Sequence, residues 1–164
     1  MKLILKTTFI TICFGVLSAC SSVTAMDESN PTKFTYDYKD LNATKDEIFS
    51  RARNFLATNY GDTNEVLRVV DAKEGIIIGR GSSPWYIMTN SCSTEHNVKF
   101  AAKDNKARLQ FELIQGAPAY SGCQGWAMPT EQGYQTIKSD FNAFSERLEQ
   151  ALKGEGKNSD FNNF

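Results

Sequence analysis

The sequence predicts a two-layer α+β domain: an antiparallel sheet of about five strands with two helices on one face, in the order β-α-β-β-β-β-α. Three observations carry this expectation. Two segments, 44–60 and 131–153, repeat apolar residues at helical spacing. The stretches between them alternate or run β-branched, as strands do. The connections between the central strands are short, which suits antiparallel neighbours.

The elements follow in chain order. Phe34-Thr35-Tyr36-Asp37-Tyr38 alternates aromatic and polar residues, the pattern of a strand with one buried face. Thr44-x-x-Glu47 is a capping box, and Ile48, Phe49, Ala52, Phe55, Leu56 and Tyr60 form the apolar stripe of the helix it opens. Gly61 supplies the stop. Val66–Asp71 and Gly75–Gly81 are β-branched runs joined by a glycine-containing bend at Ala72-Lys73-Glu74-Gly75. In a second hairpin, cross-strand partners must share a face. Val98 therefore pairs with Phe111, Phe100 with Leu109 and Ala102 with Ala107, leaving Asp104-Asn105 at the tip. The closing helix, about 131–153, carries Tyr134, Ile137, Phe141, Phe144, Leu148 and Leu152 on one stripe and ends at Gly154. Residues 154–164 are expected to be a disordered tail, and no repeat of solenoid spacing is present.

The amino-terminal segment is an export signal. Lys2 and Lys6 form its positive end, and Thr7–Leu17 is an uncharged, mainly apolar stretch of eleven residues. Spanning a bilayer as a helix takes about twenty. Leu17-Ser18-Ala19-Cys20 resembles the bacterial lipobox, in which the cysteine receives diacylglycerol before cleavage. Residues 1–19 are then the signal peptide, Cys20 the lipidated N-terminus, and 20–33 a flexible tether to a domain at 34–153. Fully extended, that tether of about thirteen residues reaches roughly 45 Å. Val23-Thr24-Ala25 offers the competing reading of an ordinary cleavage site and a released protein. By resemblance to the lipoprotein sorting rule, Ser21 directs the protein to the outer membrane, facing the periplasm.

Composition narrows the function classes. Removing residues 1–19 takes two lysines and no acid, leaving 16 basic against 19 acidic residues, net −3. A chain with that balance and no basic block is a poor nucleic-acid binder. Cys13 leaves with the signal and Cys20 is acylated, so Cys92 and Cys123 remain as an even pair in an oxidising compartment. Extending the hairpin register brings them to the same open end, and one structural disulfide is expected. A zinc site using His96 lacks a fourth ligand and any CxxC spacing, so no metal or cofactor is expected.

The stretch from Thr44 to Gly81 resembles an uncharacterised bacterial lipoprotein family whose domain of unknown function has a TATA-binding-protein-like (TBP-like) fold. The matching features are the capped helix ending near Asn59-Tyr60-Gly61, the run Glu74-Gly75-Ile76-Ile77-Ile78, and Gly79-Arg80-Gly81. The strand pair around Val98–Leu113 and the closing helix match too, so the likeness covers most of 34–153. It implies a two-layer α+β fold and no particular activity.

Residues in patterns that suggest chemistry are few. His96, the only histidine, borders a strand among polar neighbours and is expected to be exposed and inert. Gly79-x-Gly81 lacks the remaining parts of a phosphate loop, and close strand packing explains it better. Two loops, Ser82–Thr94 and Gln115–Thr130, gather Trp85, Tyr86, Tyr120 and Trp126. Rigid aromatics of this kind serve as binding anchors or complete a small core. The expected function is a non-catalytic envelope module, held to the membrane by its lipid and engaging an envelope protein through these aromatics. The alternative is a small periplasmic enzyme using two carboxylates in a cleft.

Overall fold

The computed structural model describes residues 23–60 and 67–155. The signal peptide, Cys20, the Gly61 stop, Val66 and the tail beyond residue 155 lie outside the described residues. Five strands and two helices follow the expected order: β1 (Lys33–Tyr38), α1 (Lys45–Tyr60), β2 (Leu67–Asp71), β3 (Ile76–Ile87), β4 (Asn90–Lys103), β5 (Lys106–Leu113) and α2 (Glu131–Leu152). The sheet is antiparallel, in spatial order β1-β5-β4-β3-β2. Both helices cover one face.

The capping box forms as read. The Thr44 backbone N–H donates to Glu47 Oε2 at 2.8 Å, and Glu47 N–H donates back to the Thr44 hydroxyl at 3.4 Å. The β4–β5 register pairs Val98 with Phe111, Phe100 with Leu109 and Ala102 with Ala107, and Asn105 takes the left-handed conformation at the tip. Gly75 does the same in the bend before β3. The core lies between sheet and helices. Ile48 and Leu56 from α1, Phe100, Leu109 and Phe111 from the sheet, and Tyr134, Ile137 and Leu148 from α2 are fully enclosed. Phe111 and Phe141 stack with centroids 4.1 Å apart, tying α2 to the sheet's centre.

Two expectations change. The stretch read as a loop over Ser82–Thr94 is strand: β3 runs on to Ile87 and β4 starts at Asn90, with Met88-Thr89 as the turn. Pro84 does not interrupt it: among the described residues β2 pairs with β3 from Ile76 to Gly79, so the missing N–H at Pro84 costs no ladder bond there. The stretch read as a free tether is also partly bound. Ala25 bridges to Thr130, Met26 N–H donates to Pro129 O, and Glu131 N–H donates to Thr24 O. Asp27 N–H and the Asn30 side-chain amide both donate to Glu131 Oε2. A polar, aperiodic segment thus finds its backbone partners at the start of α2, where orphan N–H groups await acceptors.

Candidate functional site

The aromatic loops come first. Along β3, alternation turns Trp85 inward and Tyr86 outward. Trp85 is 2% exposed and donates its indole N–H to Thr94 Oγ1 at 2.9 Å. Trp126 stands edge-on to it at 6.3 Å and is half-buried. Gly133 explains how a tryptophan fits beneath the first turn of a helix: a Cβ there would come 2.7 Å from the Trp85 ring. The expected anchor pair of indoles is therefore corrected to a packed core element. Only Tyr86 and Tyr120 remain outside, 63% and 68% exposed.

The two cysteines are bonded, with Cα atoms 5.2 Å apart. The bond has a clear local setting. β5 ends opposite His96, leaving the outer half of β4 without a neighbour on that side. The 114–130 segment occupies the vacancy: Gly122 N–H donates to Ser91 O at 3.0 Å, and Ser93 N–H to Ser121 Oγ at 3.1 Å. The disulfide clamps this segment to the sheet.

His96 is also corrected. It is buried, not exposed, because it sits one alternation step from Val98 on the inner face of β4. Ser83 Oγ lies 3.1 Å from its Nδ1 and the Tyr60 hydroxyl 3.3 Å from its Nε2, with Phe111 and Phe141 edge-on around it. Burial pushes its pKa down to about 4 and keeps the imidazole neutral. Gly81 lies directly opposite, and a Cβ there would come within 2.6 Å of His96 Nε2 and of the Tyr60 ring. Close packing accounts for that glycine.

Among the described residues, no group of three or more His, Cys, Asp or Glu could hold a metal ion. Several carboxylates have evident structural partners. The Arg108 guanidinium holds the Asp37 carboxyl below its ordinary range, and Thr44 does the same to Glu47. Glu131 is held down by Gln135, Asp27 N–H and Asn30.

What the helices leave uncovered is the outer sheet face. Three of its cations are paired across strands: Lys33 with Glu112, Arg80 with Glu95, and Arg108 with Asp37. Lys39, Lys99, Lys103 and Lys106 have no salt-bridge partner among the described residues. Lys103 stands directly opposite Lys106 as the last pair before the turn. With Lys39, Asp37 and Arg108 they line a depression of about 540 Å³. The net-acidic composition concealed this basic face. The signal was present in the alternation of Lys99, Ala101 and Lys103 with Phe100 and Ala102.

The architecture, a five-stranded antiparallel sheet backed by two helices, is that of a TBP-like domain. The chain belongs to the family described as domain of unknown function DUF4468 with TBP-like fold, whose model matches residues 34–116. A TBP-like protein from Parabacteroides distasonis is similar in structure, with a TM-score of 0.57 at 14% identity over 79% of this chain and 97% of that one. A DUF4468 family protein from Bacteroides ovatus gives 0.51 at 9% identity, over 77% and 88%. At these identities the likeness concerns the fold alone. No curated protein matches the chain.

Proposed function

We propose that this protein is a lipid-anchored, non-catalytic binding module of the bacterial envelope, tethered through Cys20 and presenting the uncovered sheet face to an acidic protein partner. One observation carries the choice of surface. Like charges directly opposite in a sheet are destabilising, yet Lys103 faces Lys106 with Lys39 beside them. A partner carboxylate would relieve that repulsion. The carboxylates with shifted pKa values, Asp27, Asp37, Glu47 and Glu131, all lie below their ordinary range. A hydrolytic general acid requires the opposite shift.

The test is photo-crosslinking in intact cells from position 99 on the open face, with position 50 on α1 as control. The expected result is a discrete adduct from position 99 that disappears in the Lys103→Glu/Lys106→Glu double variant. An adduct that survives the charge reversal, or equal labelling from both positions, would remove the open face as the binding surface.

A further inference from the structure

The end of the fold bearing the disulfide has an unusual composition. Gly81–Thr94 and Leu113–Thr130, fourteen and eighteen consecutive residues, contain no Asp, Glu, Lys or Arg. At the chain's overall 23% charged content, about seven would be expected there. The two stretches are far apart in sequence, and the fold brings them together. The Cys92–Cys123 bond, the Gly122-to-Ser91 hydrogen bond and the Trp85–Trp126 contact join them into one pole. Its apex is the β3–β4 turn, where Met88 is 90% exposed and takes a left-handed conformation, with Tyr86 63% exposed beside it. Tyr120 projects from the flank of the clamped segment.

The N-terminal attachment reaches the fold at this same end. Thr24 and Ala25 dock on Thr130 and Glu131, and two residues further along α2 Gly133 packs on Trp85. Only four residue steps separate Cys20 from Thr24, so an acyl chain on Cys20 lies within about 14 Å of that docking point. Ser21–Met26 carry no charge, and the first acids, Asp27, Glu28 and Glu131, stand around the docking point.

We infer that this uncharged pole rests in the headgroup region of the bilayer, with Met88 and Tyr86 inserted at the membrane interface. The inference rests on the Cys20 anchor proposed above. The chemistry of the apex fits a lipid surface: insertion of Met88 and Tyr86 strips no charge of its water, and tyrosine suits that depth. Serine, threonine, asparagine and glutamine around the apex suit headgroups rather than hydrocarbon. Strand β4 then stands along the membrane normal and carries Lys103 roughly 40 Å outward from the apex. The basic face is thereby presented away from the bilayer.

The test uses the full acylated protein in phosphatidylethanolamine/phosphatidylglycerol vesicles. A solvatochromic fluorescent amino acid is placed at position 88, at position 86 in a second variant, and at Asn105 as the far-end control. Brominated acyl chains should quench emission at 88 and 86 by about twofold or more and leave 105 nearly unchanged. Protein that co-floats with vesicles but shows equal, weak quenching at 88, 86 and 105 overturns the pole inference while leaving the anchor intact. Protein that fails to co-float overturns both. Shielding of position 88 in cells without quenching in vesicles would point to a protein partner at the apex and would equally overturn the inference.

Discussion

Gly81 and His96 form a tight pair across β3 and β4. A methyl group at position 81 has no free volume, since His96 and the Tyr60 ring both lie within 2.6 Å of where it would sit. Gly81→Ala is therefore expected to lower stability by about 1–3 kcal/mol through overpacking, measured by chemical denaturation. His96 also sets a pH dependence. Its folded pKa of about 4 lies below the usual 6.5, so the unfolded chain binds the proton more readily. The stabilising contribution is complete above about pH 6.5 and declines as pH falls toward 4, up to about 3 kcal/mol in all. Asp37 and Glu47, also held low, add their own losses only at more acidic pH. Melting temperature should thus fall between pH 7 and 5 in the parent and stay nearly flat in His96→Gln. A parallel slope in both would remove His96 as the cause. The inward face of His96 was legible in its alternation with Val98, whereas the burial of Trp85 was not, because it depends on a helix that arrives later in the chain.

At the scale of elements, hairpins and caps read well. The β4–β5 register followed from matching apolar faces, and Thr44 with Glu47 announced the start of α1. Thr44→Ala should cost about 1 kcal/mol, visible as a small drop in the denaturation midpoint. The β3–β4 hairpin read poorly, because proline and serine mask a strand. That hairpin depends on the segment clamped beside it. The disulfide closes a sequence separation of 31 residues, and in the chain-entropy picture this is worth roughly 3–4 kcal/mol. Reduction, or Cys123→Ser, should lower the melting temperature by an amount matching that range and raise hydrogen exchange first at the Gly122 and Ser93 amides, which donate across the clamp. An unchanged melting temperature after complete reduction would show that the clamp is dispensable.

For the whole molecule, polarity is the organising feature. One pole is built from two uncharged stretches and adjoins the docked Thr24–Ala25 segment, while the far end carries Lys39, Lys103 and Lys106. Under the proposed Cys20 anchor, docking of residues from Thr24 onward leaves four residue steps of the expected 45 Å tether. Cys20→Ala should leave the melting curve unchanged and move the protein from the membrane to the soluble fraction. A variant that still sediments with membranes would require withdrawing the Cys20 anchor. Among the described residues, no helix is long and apolar enough to cross a membrane.

The sequence by itself determined the order of elements, the register of the second hairpin, the Thr44 cap and the cysteine pair. Each of these depends on residues a few positions apart or on the parity of a strand, and periodicity records that directly. Only the tertiary structure decided which aromatics are core, that the sole histidine is enclosed, that the tether docks, and that charge separates between one pole and one face. Those outcomes depend on which surfaces other elements cover. Trp85 is buried because α2 lies over it, and the lysines of the outer face are exposed because no helix does.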